Sequence, residues 1–426
     1  MTTARERSEL GAPRTIGVVG GGQLAWMLGC AGKQLGVELQ VQTPYPDDPA
    51  VRVASGVVLA AVDDAAATAR LAEPCTAVSF ENEWLPLEAL APLVQQGVRF
   101  LPELDALRPL ISKRAQRELL NRLHLPCPPW CPLEAVLSPA PTGSSRSLEA
   151  PEGPWDLPPL ATNGPRLPAH LRFPVMAKAS SGGYDGKGIV PITNQAELEA
   201  LLATVVPQGW LLEEQVAFEQ ELALVACRDQ QGRVACFPLV ETHQTHQVCN
   251  WVLAPAPVNH AVEALARNVA ASLLTALDYV GVLSIEFFYG PRGLQVNEIA
   301  PRTHNSGHYT IEACRSSQFD QQVRIVADLP MGSTEMVVPG ALMVNLLGYE
   351  PVDGAAAAVD YGEQRQALAA LADAHLHWYG KRSADPGRKL GHLTLLLQGT
   401  TVETRRGEAE RRLAEVRSIW PQITPS

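Results

Sequence analysis

No stretch of the 426-residue sequence approaches the run of about 18 apolar residues that spans a membrane, so no transmembrane helix is expected. The first residues, MTTARERSEL, hold no apolar core of the signal-peptide kind and read as a short solvated tail. Eight cysteines occur, never as Cys-x-x-Cys. That argues against a zinc site or disulfide framework and for buried thiols in a reducing, cytoplasmic setting. No long Lys/Arg run is present either. With 34 basic against 45 acidic residues the net charge is −11, which excludes nucleic acid and anionic membranes as partners. Any anionic ligand must be held by a few local cations. What remains is a composition of 46% apolar and 19% charged residues, that of a soluble chain of roughly two to four domains.

The N-terminal hundred residues alternate β-rich runs with helical patterns. Strands are predicted at Thr15–Val19, Val37–Val41, Thr76–Phe80 and Val98–Leu101, and a helix at Gln23–Leu35. This alternation implies βαβ units and a parallel, doubly wound sheet. A polar helix carrying Lys113, Arg114 and Arg117 follows. Between Pro126 and Pro174 stand 13 prolines, and a continuous sheet or helix cannot absorb so many missing N–H groups. That segment is read as a linker or surface insertion.

Beyond it the texture is mainly antiparallel α+β. Strands are predicted at Phe173–Ala179, Ile189–Ile192, Trp210–Glu214, Glu221–Arg228, Arg233–Leu239 and Val248–Leu253. A long helix over Asn259–Leu277 presents Val262, Leu265, Val269 and Leu273 as a core-facing stripe. Two strands flank the Gly290–Gly293 turn. The C-terminal part adds strand Ala341–Leu347, an Ala-rich helical stretch, and strands His375–Tyr379 and Gly391–Leu397.

Three clusters carry chemistry. Gly20, Gly22 and Ala25 satisfy G-x-G-x-x-G/A between a strand and a helix, a turn whose N–H groups suit an anion. The acid that would hold a ribose, about 20 residues on, is missing. Gln42 and Thr43 stand there, and the first acid is Asp47. Nicotinamide binding is thereby weakened, while phosphate binding and plain strand–helix packing both stay open.

The second cluster is Lys178 followed by Gly182–Gly188, four glycines in seven residues, with Lys187 inside. Two lysines bracketing such a loop suit phosphate oxygens. Trp210–Val216 then places Glu213 and Glu214 at a strand end, the layout of a hinge for an adenine edge. Glu221 on the next strand suits a ribose.

The third cluster is the pair of acids Glu286 and Glu298 at strand positions that want apolar residues. Buried carboxylates need a cation, and two of them with phosphate oxygens suit Mg²⁺. Their meeting depends on register. Pairing Tyr289 with Leu294 sets Glu286 opposite Asn297, so a loop of different length or a bulge is expected to bring Glu298 into place. Arg302, His304, Asn305 and His308 follow directly, and Lys381, Arg388 and Lys389 gather near a tight turn.

Together these motifs resemble the ATP-grasp superfamily, and within it the N5-carboxyaminoimidazole ribonucleotide synthases. The resemblance runs from about Thr15 to Leu397. It is carried by Gly20–Leu24, Phe80-Glu81-Asn82, Gly182–Gly188, Asn297–His308 and Pro386–His392. It implies an α/β and α+β protein with a Rossmann-like preATP-grasp domain (1–110), an ATP-grasp domain (111–330, insertion about 135–170) and a small C-terminal β-rich domain (331–426). It implies an ATP-dependent ligase that carboxylates 5-aminoimidazole ribonucleotide with bicarbonate, through carboxyphosphate, in purine biosynthesis. ATP and Mg²⁺ are the implied cofactors and a homodimer the implied assembly. The alternative is another ATP-grasp carboxylase or ligase with a different phosphorylated acceptor.

The resemblance also implies residue roles. ATP would meet Lys113, Lys178, Gly183, Tyr184, Asp185, Gly186, Lys187, Gly188, Ile189, Glu213, Glu214, Gln215, Val216, Glu221, Gln244 and Asn297, with Mg²⁺ on Glu286 and Glu298. The ribonucleotide would meet Gly21, Gly22, Gln23, Glu81, Tyr184, Asp185, Lys187, Lys381 and Arg388. Bicarbonate would face Arg302, His304 and Asn305, with His304 preferred over Asp185 as the base. Four positions depart from the common pattern: Ala25-Trp26 replaces Gly-Arg, Lys113 replaces an arginine and Gln244 a histidine.

Overall fold

The computed structural model describes residues 14–137, 164–182, 188–245, 247–349, 361–381 and 383–422. The roles expected of Gly183, Tyr184, Asp185, Gly186 and Lys187 fall outside these residues, as does most of the Pro-rich segment. The chain divides into two compact units, residues 112–217 and the remainder.

The larger unit begins with β1 (Thr15–Val19), β2 (Glu38–Thr43), β3 (Gly56–Leu59) and β4 (Val78–Phe80), in the spatial order β3-β2-β1-β4. All pairings are parallel. The Gln23–Leu35 helix falls where the pattern put it and ends at Gly36, whose φ of 69° a glycine adopts without strain. The run at residues 98–101 is not a strand. Only an isolated bridge, Phe100 with Val78, forms there.

The smaller unit holds a four-stranded antiparallel sheet of β5 (Trp130–Pro132), β6 (Val175–Ala179), β7 (Ile189–Ile192) and β8 (Trp210–Glu214), in the order β5-β8-β6-β7. Helices Lys113–Arg122 and Gln195–Leu202 are capped by the Ser112 hydroxyl and the Asn194 amide oxygen. Leu133, Val175, Ala177, Leu198 and Leu212 fill its core.

The rest of the larger unit is built on β9 (Gln220–Arg228), β10 (Val234–Cys236), β11 (Val240–Thr245), β12 (Val248–Ala254), β13 (Gly281–Gly290), β14 (Gly293–Ala300), β15 (Gly340–Leu347), β16 (Ala374–Trp378) and β17 (Lys389–Leu397). They form one sheet, β14-β13-β9-β11-β12-β15-β17-β16, with β10 beside β9. The C-terminal strands therefore extend the same sheet that carries the two acids. The long helix runs His260–Ala276, started by Asn259, whose side chain accepts the Val262 N–H at 3.1 Å. Val262, Val269 and Leu273 are buried as expected, but Leu265 is 42% exposed. Ala266, Ala270 and Leu274 complete the stripe instead, shifting the buried face around the helix. Among the described residues no helix is long and apolar enough to cross a membrane.

Both sheets of this unit share one core. Val18, Leu28 and Val41 pack in the same cluster as Phe319, Val323 and Val252. Gln322 pins the join: its Nε2 donates to Ser79 Oγ at 2.8 Å and its Oε1 accepts the Val282 N–H at 2.7 Å.

Candidate active site

The glycine loop has an internal anion. Glu81, just past β4, accepts the N–H groups of Gly22 at 2.6 Å, Leu24 at 3.0 Å and Ala25 at 3.5 Å. The positive end of the Gln23–Leu35 helix thus faces a carboxylate of the same chain. Burial pushes the Glu81 carboxyl up, opposed by these three N–H donors. The glycines make the close approach feasible. A Cβ on Gly20 would lie 2.6 Å from Glu81 Cβ, and one on Gly21 would lie 2.6 Å from Thr43 Cβ. Gly20 also has φ +114°, a region hostile to side chains. Gly20→Ala is therefore expected to destabilise the fold by about 1–3 kcal/mol, read as a lowered thermal midpoint. An unchanged midpoint would remove Glu81 from this position. At the place of the missing ribose acid, Gln42 is buried, donates to Ala61 O at 2.6 Å and accepts from Thr68 Oγ1 at 2.8 Å. It ties β2 to a helix, its amide committed to the protein rather than to a ribose hydroxyl.

The register of β13 and β14 brings the two acids opposite each other. Their turn pairs Gly290 with Gly293 and Tyr289 with Leu294, yet Glu286 pairs with Glu298. The irregularity lies between Glu286 and Phe287, so Asn297 is the extra residue of a bulge. Next to them, β9 places Glu221 half-buried and opposite Phe288. Burial raises Glu221 to about 7 against the Gln244 N–H that it accepts. Gln244 itself sits at a second bulge, after His243.

The loop after β14 is dense in polar contacts. Arg302 forms a two-point ion pair with Glu83, Nε to Oε2 at 2.6 Å and Nη2 to Oε1 at 3.1 Å. His304 Nδ1 lies 2.9 Å from Ser306 Oγ, and its Nε2 lies 3.6 Å from Glu286 Oε1. Burial, then the charges of Arg302 and Lys389, hold the His304 ring well below the usual histidine range, hence neutral. Asn305 is buried, and its amide pairs reciprocally with Asn345 on β15 at 2.9 and 2.7 Å. His308 is wholly buried, its ring 4.8 Å from that of His392 on β17. His392 stacks in turn on His377 at 4.5 Å, and His377 Nε2 lies 2.6 Å from Glu312 Oε1. At the turn between β16 and β17, Lys381 Nζ lies 5.4 Å from the Tyr379 ring centroid and Arg388 donates to Ser383 Oγ. Arg52 donates to Tyr379 O at 2.6 Å, tying this turn to the short 3-10 turn Pro49–Arg52 between β2 and β3.

In the smaller unit Lys178 is buried on β6, and its Nζ lies 2.6 Å from Glu213 Oε2 on β8. Arg117, 2% exposed, holds the other oxygen at 2.6 Å. Burial alone would raise Glu213, but Arg117 and Lys178 outweigh it and bring it to about 2. Burial and Arg117 lower Lys178 against the pull of Glu213. One carboxylate between two cations leaves a net positive charge, a setting that favours a phosphate. Past β8, the N–H groups of Glu214 and Gln215 donate to Pro129 O at 2.9 Å and Pro174 O at 3.3 Å, with Gln215 exposed and Val216 half-buried. Lys113 begins its helix with its N–H on Ser180 O at 2.8 Å. Gly188, at φ +78°, leads into β7 at Ile189.

Family models match residues 14–110 as a ribonucleotide synthetase preATP-grasp domain, 161–319 as an ATP-grasp domain, and 341–405 as a phosphoribosylaminoimidazole carboxylase C-terminal domain. A Synechococcus elongatus relative, an N5-carboxyaminoimidazole ribonucleotide synthase, is 48% identical over 406 residues, 95% of each chain. The chain belongs to that synthase family. A Synechocystis synthase is 43% identical over 416 residues, 95% of this chain and 98% of its own. The solved synthetase of Thermus thermophilus superposes with a TM-score of 0.77 at 32% identity, over 96% of this chain and 100% of that one. An Aspergillus clavatus synthase in complex with ADP and 5-aminoimidazole ribonucleotide gives 0.78 at 27%, over 96% and 99%.

In this member of the synthase family, Glu83, Glu312 and Asn345 carry no local signal in the sequence, and Arg117 stands out there only as part of a polar helix. Glu83 meets Arg302 across 219 positions and Asn345 meets Asn305 across 40. A signal existed only for Arg117, a cation on the helix that precedes Lys178.

Proposed function

We propose that the chain is an ATP-dependent ligase that carboxylates 5-aminoimidazole ribonucleotide with bicarbonate, giving N5-carboxyaminoimidazole ribonucleotide, ADP and phosphate. The observation that carries this reading is the bulged hairpin that sets Glu286 opposite Glu298, in a chain sharing 48% identity with a synthase over nearly its whole length. The donor set fits Mg²⁺: two hard carboxylates in cross-strand register, with oxygen ligands left to water and phosphate. Glu286 and Glu298 would hold the ion beside Asn297, and when bound it offsets phosphate charge. Lys178, kept beside the Arg117–Glu213 pair, and Lys113, with the glycine segment 183–188, meet the ATP phosphates. Glu213–Val216 serve the adenine, with Glu221 and Gln244 near the ribose.

Bicarbonate carbon carries no good leaving group. Attack of its oxygen on the γ-phosphorus expels ADP and yields carboxyphosphate, whose leaving group is phosphate. The ribonucleotide amine then forms the N–C bond, either at the carbon of carboxyphosphate as phosphate leaves or at the carbon of CO2 released from it together with phosphate, and its proton passes to neutral His304. Protein groups act here chiefly by position and charge. Arg302 and Asn305 face the oxyanion, while Glu81, the Gly21–Gln23 loop, Tyr184, Asp185, Lys187, Lys381 and Arg388 take the ribonucleotide. A cytoplasmic homodimer of three domains, 1–110, 111–330 and 331–426, completes the proposal.

Phosphate release from ATP tests it. Release is expected to need bicarbonate and to rise when 5-aminoimidazole ribonucleotide is added. No stimulation by the ribonucleotide would favour a different acceptor and overturn the assignment.

A further inference from the structure

Glu83 belongs to none of the roles above, yet it holds the arginine placed at the oxyanion. It lies in the loop after β4, where the Asn82 side-chain oxygen accepts the Trp84 N–H at 3.1 Å. That contact closes an Asx turn across Glu83, and the Leu85 N–H returns to Glu83 O at 3.0 Å. The turn aims the carboxylate at Arg302, which sits in the loop after β14 with its own N–H on Ala300 O at 2.9 Å. Both side chains are mostly covered, 19% and 21% exposed.

The count of donors gives the pairing its meaning. A guanidinium has five N–H groups. Nε and one N–H of Nη2 go to Glu83, and one N–H of Nη1 goes to Thr303 O at 3.2 Å. One N–H on Nη1 and one on Nη2 have no further partner among the described residues. Those two atoms make a fork suited to a planar oxyanion. An arginine without a carboxylate on its Nε side would sample several orientations of that fork and lose rotamer entropy on binding an anion. Further acids, Glu298 and Glu81, lie close enough to act on Arg302 electrostatically.

We propose that Glu83 is a positioning residue for bicarbonate: it clamps the Nε side of Arg302 so that the Nη1–Nη2 end is presented to the oxyanion. The proposal rests on the function assigned above. A pair serving only to join two loops would affect stability and all kinetic constants together, because buried ion pairs hold structure without selecting a substrate.

The test is steady-state phosphate release by the full-length chain, varying bicarbonate and ATP separately, for wild type, Glu83→Gln and Glu83→Asp. Glu83→Gln is expected to raise the bicarbonate KM about tenfold or more, leaving the ATP KM within about twofold. Glu83→Asp, charged but shorter, should fall between it and wild type, and serves if the glutamine variant does not fold. In an Arg302→Lys background, which has no fork, Glu83→Gln should add no further loss in bicarbonate KM. An unchanged bicarbonate KM, an equal rise in both KM values, or full additivity with Arg302→Lys would overturn the proposal. A wild type that shows no bicarbonate-dependent release would overturn the function and this proposal with it, whereas the other failures leave the function standing.

Discussion

Glu298→Gln is expected to lower kcat/KM by more than about 100-fold while leaving the fold intact. Glutamine preserves the volume and the strand backbone, so the β13–β14 ladder and its bulge persist. What disappears is one of two negative charges that face each other across the hairpin. A neutral amide oxygen binds a hard divalent ion much less well than a carboxylate. The thermal midpoint should shift by only a few degrees, since Glu298 is half-buried and its neighbour Arg302 stays paired with Glu83. Titration of activity with Mg²⁺ checks the cause, because the variant should need far more of the ion for any residual rate. Retained activity at ordinary Mg²⁺ would remove Glu298 from the metal site. The matching change at Glu286 should behave alike, with an added effect on His304, which lies 3.6 Å from its carboxylate.

Glu213→Gln is expected to act first on stability. Glu213 is 1% exposed and stands between Arg117 and Lys178, each 2.6 Å away. Its replacement leaves two buried cations facing a neutral amide, and breaking a buried network in this way costs about 3–5 kcal/mol. Chemical denaturation reads this as a lower midpoint. The pH dependence supplies an independent check. Folded Glu213 titrates at about 2, below the roughly 4.3 of an unfolded glutamate. Between those values the unfolded chain binds a proton that the native one does not, so stability falls as pH drops through this window. The contribution is fully present above about pH 4.3 and is lost near pH 2. In the glutamine variant that part of the acid limb should vanish. A variant as stable as wild type, with an unaltered acid limb, would show that the triad carries no weight. Lys178, already lowered by burial and Arg117, would lose its proton more readily in the variant, and phosphate affinity should fall with it.

The sequence by itself determined the elements and the chemical inventory. The Gln23–Leu35 helix, the strand Trp210–Glu214 and the turn at Gly290–Gly293 follow from periods, caps and turn residues within a few positions of each other. Lys178, Glu286, Glu298 and the Asn297–His308 run were legible because an acid or a cation stands out where a strand wants an apolar side chain. Other features were not local. The shift of the long helix's buried face from Leu265 to Ala266 depends on what packs against it. The final helix, Val402–Ile419, has little apolar face to read, burying Arg405, Ala409 and Val416. The turn geometry alone sets Glu286 opposite Asn297, and only the bulge brings in Glu298. Glu81 on the glycine loop, Glu83 on Arg302 and Asn345 on Asn305 were decided by the tertiary structure. A buried polar group must find a partner, and nothing in its neighbouring residues says which distant segment the folded backbone will bring to it.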